Sequence, residues 1–265
     1  MKNGRVLLEL TDGVATMTLN HPGSLNAFGF KLRQDMAVAL DEIEASDARC
    51  LLITGTGRAF CSGANLNDPD RPPRDRDAEA RGDIPSDLEA WYNPTFQRLR
   101  SLKIPTVSAI NGVAAGAGMS LALSADIKLM ARPAYFLQAF ARIGLVPDCG
   151  SSWILPRLIG IARAMELSML AEKLPADTAK EWGLVNRVSD DDALADDAKA
   201  MAQRLAGGPS SLGLIRRMYW DGLENNYADQ LQLEADLQKQ AGQSSDYEEG
   251  VTAFREKRSA NFTGK

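Results

Sequence analysis

The apolar run Thr106–Ile110 ends at Asn111-Gly112, passes into the small-residue stretch GVAAGAGMSLALSA (112–125), and gives way to a second short run, Asp126–Met130. Short apolar runs bounded by turn residues read as strands buried on both faces. Two such strands joined by a turn and a helix-length segment specify a crossover, and crossovers build α/β sheets rather than hairpins. No other segment restricts the architecture as tightly.

The order recurs along the chain. Val6–Leu10 and Val14–Leu19 read as strands joined by a tight turn at Asp12-Gly13. Asn20-His21-Pro22-Gly23 breaks the pattern. Leu32, Met36, Ala39, Leu40 and Ile43 then recur at helical spacing, which predicts a helix over Phe30–Ile43. Cys50–Thr54 is another buried strand. Residues 67–83 are dense in charge and proline and read as a surface loop. Leu88, Trp91, Phe96, Leu99 and Leu102 form one apolar helical face that Pro94 kinks or divides. From about Ala193 the pattern is helical to the end.

Length and composition exclude several classes. A chain of 265 residues can form one large domain, or one domain with a helical appendage. The net charge of −5 argues against nucleic-acid binding, which needs a broad basic face. Cys50, Cys61 and Cys149 fit neither a disulfide framework nor a zinc site, so a reducing, cytoplasmic setting is expected. No run is long enough to span a bilayer, and no membrane association is expected. His21 is the only histidine, which removes multi-histidine metal sites and leaves no metal expected.

Chemistry is concentrated in two small-residue turns. One is Arg58-Ala59-Phe60-Cys61-Ser62-Gly63-Ala64-Asn65-Leu66, after a strand; the other is Asn111–Gly118, between a strand and a helix. Small residues let a ligand approach the backbone, and a helix N-terminus offers unpaired N–H groups at its positive end. Each turn alone could serve packing only. Side by side they could aim two N–H groups at one carbonyl oxygen.

The sequences NHPGSLNAF (20–28), GRAFCSGANL (57–66), AINGVAAGAGMSLAL (109–123), GLVPDCGSSWILPRLIG (144–160), AKEWGLVNRV (179–188) and EGVTAFREKRSANF (249–262) resemble, in order, those of the enoyl-CoA hydratase/isomerase (crotonase) family. The resemblance covers nearly the whole chain. It implies an α/β fold, a spiral of ββα units over 1–192, and a C-terminal helical trimerisation region over 193–265. It implies a homotrimer or homohexamer acting on an acyl-CoA thioester, with CoA as part of the substrate and no cofactor required. It places an oxyanion hole at the N–H groups of Ala64 and Ala117, with Gly116 the alternative at the second turn. Ser24, Leu25, Ala27, Ser62, Asn65 and Leu66 would hold CoA, joined by Phe254 and Lys257 from the C-terminal region. Asn65 stands where the family more often has aspartate.

The resemblance also bears on the reaction. Family hydratases carry two glutamates, and the corresponding positions here are Ser120 and Phe140, which disfavours two-glutamate hydration. Asp148 instead matches a functional aspartate of dienoyl-CoA isomerases and of 4-chlorobenzoyl-CoA dehalogenase. The pattern is most similar to the branch that isomerises the ring 1,2-epoxide of phenylacetyl-CoA. Ser151-Ser152 departs from the usual glycine followed by threonine or serine.

One carboxylate beside an oxyanion hole could take a proton from one carbon and return it to another. A pocket containing Phe140 and Leu145 would raise its pKa. As a residue alone, Asp148 reads first as the cap of the helix beginning near Ser151; the resemblance and the missing glutamates turn the reading towards a base. Trp91, Tyr92 and Phe96 read either as a wall of the acyl pocket or as core. The leading expectation is therefore an acyl-CoA isomerase using Asp148 as single base. The alternatives are hydratase-like, hydrolase or dehalogenase activity, or a non-catalytic RNA- or protein-binding member.

Overall fold

The computed structural model describes residues 4–73, 75–82 and 85–265. These residues form ten strands and ten α-helices. The strands are β1 (Val6–Thr11), β2 (Val14–Leu19), β3 (Cys50–Gly55), β4 (Ala59–Cys61), β5 (Thr106–Ile110), β6 (Val113–Ala115), β7 (Ile127–Ala131), β8 (Tyr135–Leu137), β9 (Lys173–Pro175) and β10 (Arg187–Ser189). The helices are α1 (Phe30–Glu44), α2 (Arg76–Arg81), α3 (Asn93–Ser101), α4 (Ala117–Leu123), α5 (Ser151–Leu170), α6 (Ala176–Glu181), α7 (Leu194–Ala206), α8 (Ser211–Gly222), α9 (Tyr227–Ala241) and α10 (Ser245–Glu256).

Two sheets form, in orders β1-β2-β3-β5-β7-β10 and β4-β6-β8-β9. Each turn of the chain gives one strand to the large sheet and the next to the small one: β3 then β4, β5 then β6, β7 then β8. That alternation is the ββα spiral. β2, β3, β5, β7 and β10 run parallel, while β1 is antiparallel to β2. Asp12 and Gly13 take positive φ of 52° and 75°, as the two central residues of a type I′ hairpin require.

Strands buried on both faces must satisfy every polar group internally. In β5 the Ser108 hydroxyl donates to Ala122 O at 3.0 Å and the Thr106 hydroxyl to Asp126 Oδ2 at 2.9 Å. The core continues past residue 193, because Leu194, Ala198, Met201, Ala202 and Ala206 of α7 are buried in the same apolar cluster as the large sheet. α8 is fastened by buried Arg216, which donates to Asp126 Oδ2 at 2.9 Å and to the carbonyls of Leu99 and Leu102. Trp220 Nε1 reaches the other oxygen of Asp126 at 2.7 Å.

Two expectations change. The charged segment 67–83 contains a helix, α2, whose start is capped by Asp75 accepting from Ala78 N at 2.9 Å; residues 74 and 83 lie outside the described ones. The face expected over 88–102 is divided not by a bend at Pro94 but by a π-turn at Leu88–Tyr92, where Asn93 N–H bonds Leu88 O. Pro94 follows as an early residue of α3, where a missing N–H costs nothing.

Candidate active site

Strands β4, β6 and β8 run parallel in the small sheet and deliver their carboxyl ends to one edge. Crevices at the carboxyl ends of parallel strands are where α/β folds place ligands.

β4 leads into Ser62-Gly63-Ala64, which lies along the loop 24–28. Ser62 N–H donates to Leu25 O at 3.0 Å, Phe28 N–H to Gly63 O at 2.7 Å, and Asn65 N–H to Phe28 O at 3.1 Å. In the parallel bridge between Phe28 and Ala64, the flanking residues of Ala64 make the bonds, so its own N–H faces the opposite side. β6 leads into Gly116 and α4. Gly116 has φ 51° and ψ −127°, which turns the chain sharply into the helix. Its N–H bonds Leu137 O at 2.9 Å. Gly116, the alternative donor at this turn, is therefore already committed. The Ala117 N–H, first in α4, makes no hydrogen bond among the described residues.

The turns touch through glycines. A methyl group on Gly63 would lie 2.8 Å from Ala115 O and 3.7 Å from Ala117 N, so the Ala64 and Ala117 amides are neighbours. A methyl group on Gly118 would overlap the Cys61 carbonyl.

Asp148 reaches this edge from the loop after β8. Ser120 Oγ of α4 donates to Asp148 O at 3.3 Å, and Ser151 donates to the same oxygen from N at 3.0 Å and Oγ at 2.9 Å. Its backbone carbonyl is thus saturated. Its side chain does not cap α5: Gly150 occupies the cap position and no side chain bonds there. Asp148 Oδ1 is buried without a hydrogen-bond partner. Burial raises the carboxyl pKa above the ordinary value, an effect partly offset by the Cys149 thiol. Phe140 packs close to Gly116, but Leu145 is 56% exposed, so the burial of Asp148 does not come from Leu145.

Cys61 and Cys149 flank the carboxylate as buried thiols; burial pushes Cys61 up to about 12 and Cys149 upward as well. Both stay protonated at neutral pH. His21 sits in the preceding loop, its Nδ1 2.8 Å from Ser24 Oγ, with its pKa lowered by burial.

Of the residues expected to hold CoA, Ser24, Leu25, Ala27, Ser62, Asn65 and Leu66 come together in the paired loops, with Ser62 Oγ donating to Ser24 O at 3.2 Å. Leu66 is 65% exposed beside them. Phe254 and Lys257 do not join them within one chain. Phe254 lines a groove among the C-terminal helices with Leu214, Met218 and Phe262, and Lys257 ends α10 at φ 56°. No hydrogen bond or ion pair links either to the paired loops among the described residues.

Two polar residues beside the site escaped the sequence reading. Arg33, on α1, is buried; Nε and Nη1 of its guanidinium make no hydrogen bond, and Nη1 forms an ion pair with Asp87 Oδ2 at 3.4 Å. It lies three positions before Met36 on the buried face, a spacing that flags it. Gln138, after β8, is fully buried with neither amide atom paired. Phe96 lines a cavity of about 200 Å³ that also meets Ser120, Cys149 and Trp153, whereas Tyr92 is buried against Phe28.

A ββα spiral with paired N–H-bearing turns at the edge of its small sheet defines a class, and the chain belongs to it: the enoyl-CoA hydratase/isomerase family, whose model matches residues 9–265. It is an enzyme of that family. The chain is 46% identical to 1,2-epoxyphenylacetyl-CoA isomerase of Escherichia coli K12, over 98% of both proteins. It is 41% identical to a probable enoyl-CoA hydratase of Rhodobacter capsulatus, over 97% of both. The crystal structure of enoyl-CoA hydratase from Bacillus anthracis superimposes with a TM-score of 0.88 at 27% identity, covering 98% of this chain and all of the other. No described helix is long and apolar enough to cross a membrane.

Proposed function

We propose that the protein isomerises an acyl-CoA thioester, with Asp148 as its single base and the N–H groups of Ala64 and Ala117 as its oxyanion hole. The observation that carries this reading is the buried, unpaired Oδ1 of Asp148 at the same edge as two uncommitted amides. Asp148 takes a proton from the carbon next to the thioester carbonyl, and the electron pair moves onto the carbonyl oxygen. The two N–H groups hold that oxygen; each such donor contributes about 3–4 kcal/mol in comparable sites. Asp148 then returns the proton two carbons further along, which moves the double bond with no net gain or loss of atoms. A raised pKa suits the exchange, because it brings the carboxyl closer to the carbon acid it must deprotonate.

Ser120 and Phe140 offer no carboxylate to activate water, which favours isomerisation over hydration. The E. coli relative's name points to a ring epoxide of phenylacetyl-CoA as the substrate class. CoA enters as part of the substrate, held by the loop pair 24–28 and 62–66, and no cofactor is required. Exposed Tyr219, Tyr227 and Phe254 in the C-terminal helices support assembly into a homotrimer or homohexamer, which would also bring Phe254 and Lys257 into play. Three free, unpaired cysteines support a cytoplasmic enzyme.

The test is deuterium incorporation and double-bond migration on a 3-enoyl-CoA by wild type and Asp148→Asn. Activity in wild type that is lost in the variant, with CoA binding retained, supports the reading. Equal activity in both proteins would exclude Asp148 as the base.

A further inference from the structure

Tyr92 ends the π-turn that precedes α3. Turns of this kind insert one extra residue into a helix and recur at functional sites. Here the insertion directs Tyr92 inward, where it is only 8% exposed. Its ring is fixed on two sides: Phe28 meets it edge-on at 5.7 Å and 74°, and the Arg33 guanidinium lies 5.2 Å from its centroid.

Its hydroxyl is badly served. The acceptor in reach, Phe28 O, is 3.5 Å away, at the outer limit of a hydrogen bond, and already receives Asn65 N–H at 3.1 Å. Phe28 is bridged to Ala64, so the hydroxyl lies beside the first proposed oxyanion donor. The Arg33 guanidinium, the thiols of Cys149 and Cys61 and the charge of Asp148 all act on the phenol. Burial keeps the phenol protonated at neutral pH, so it is a donor and not a base.

The site thus holds a buried acceptor without a donor, Asp148 Oδ1, and a buried donor without a good acceptor, Tyr92 O–H. The charge of Asp148 acts on the phenol, and the two groups are not hydrogen-bonded to each other. A buried polar group left unmatched costs about 1–3 kcal/mol, so two that avoid pairing call for a third group between them. Asp148 meets the C–H that it deprotonates. The hydroxyl needs an oxygen.

We propose that Tyr92 is the specificity-determining donor of this site, its O–H holding an oxygen atom carried by the acyl group close to the carbons on which Asp148 acts. The preferred substrates are then acyl-CoA thioesters bearing an epoxide, hydroxyl or ether oxygen near the thioester, rather than plain hydrocarbon chains. This deepens the isomerase reading and rests on its acyl-CoA site, but not on its choice of base.

The experiment is calorimetric titration of wild type and Tyr92→Phe with phenylacetyl-CoA and with 2-hydroxyphenylacetyl-CoA. These differ by one ring oxygen, and neither needs to turn over. Phenylalanine keeps the ring against Phe28 and Arg33, and its binding of phenylacetyl-CoA reports an intact fold. Wild type is expected to bind the hydroxylated thioester about tenfold more tightly, as one neutral hydrogen bond allows. The variant is expected to bind both alike, with its affinity for phenylacetyl-CoA unchanged within a factor of about two. A wild type without preference, or a variant that keeps it, overturns the proposal. If neither thioester binds wild type, the proposal falls together with the acyl-CoA reading. If the preference behaves as expected while Asp148→Asn isomerises normally, only the assignment of the base falls.

Discussion

The two halves of the site are built on opposite terms. The turns at 62–64 and 116–118 work through backbone, and their geometry is saturated: flanking amides are bonded to Leu25, Gly63, Phe28 and Leu137, and glycines fill the space where a side chain would collide. The Ala64 and Ala117 N–H groups make no hydrogen bond among the described residues. The half formed by Asp148 and Tyr92 works through side chains, and it is unsaturated: Asp148 Oδ1 has no hydrogen-bond partner and the Tyr92 hydroxyl has only a long one, while Arg33 beside them pairs with Asp87 at 3.4 Å. A backbone donor is rigid and costs little to hold ready. A side chain that must trade a proton or receive a ligand atom has to be kept short of partners, and that costs stability. Substitutions in the two halves should therefore move activity and stability differently.

The largest effect belongs to Asp148→Asn. Loss of a general base costs about 10²–10⁴ in rate, so kcat for proton exchange should fall by that amount while thioester affinity is retained. Stability should move the other way. The native carboxyl has a pKa above the unfolded value near 3.8, so between the two the native state binds more protons than the unfolded state. Stability therefore declines as pH rises through that window, and asparagine removes the decline. The variant should melt higher than wild type at pH 7, with the difference shrinking as pH approaches 3.8. A variant that melts lower at neutral pH would mean that Asp148 is structural. In wild type, the acidic limb of kcat/KM should fall above the ordinary carboxylate range, and it should vanish in any residual activity of the variant.

Gly118→Ala tests the saturated half. The added methyl group meets the Cys61 carbonyl, so β4 or α4 must shift. Loss of one oxyanion donor costs about 10²–10³ in kcat, and overpacking costs about 1–3 kcal/mol of stability. Activity and melting temperature should fall together, unlike their opposite movement in Asp148→Asn. The carbonyl stretch of a bound thioester, measured by difference infrared spectroscopy, should move back towards its value in water. An unmoved stretch would show that the oxygen does not sit at this turn.

What the amino-acid order revealed follows the same division. The strands, the Asp12-Gly13 hairpin and both glycine turns were legible, because backbone conformation is written locally in small residues and periodicity. The α2 helix in the charged loop and the π-turn before Pro94 were not, since the first rests on a single Asp75 cap and the second on tertiary packing of Tyr92. Asp148 stood out only once Ser120 and Phe140 had been seen to lack carboxylates, and its sequence could not separate a base from a helix cap. The Gly150 cap removes the second of these readings, because the Asp148 side chain does not bond the start of α5. Arg33 was hidden because a cation on an apolar face reads as an exception until its surroundings are known. Phe254 and Lys257 lie among the C-terminal helices, apart from the paired loops.

The smallest effect is expected where the halves meet, at Ser120. Its hydroxyl is 3.3 Å from both Gly116 O, on the saturated side, and Asp148 O, on the unsaturated one. Both contacts are long, and both acceptors have stronger donors: Ser120's own N–H reaches Gly116 O at 3.1 Å, and Ser151 N and Oγ hold Asp148 O. Ser120→Ala therefore leaves no acceptor orphaned. It should cost no more than about 1 kcal/mol and change kcat less than about threefold, an estimate that follows from losing only part of one neutral bond. If Ser120 were a nucleophile or the positioner of Asp148, the loss would instead approach that of Asp148→Asn. A loss of that size, with thioester binding intact, would move the chemistry from the carboxylate to the α4 hydroxyl. A loss within a factor of three would leave Ser120 as a small residue that lets the Asp148 loop lie close to the helix.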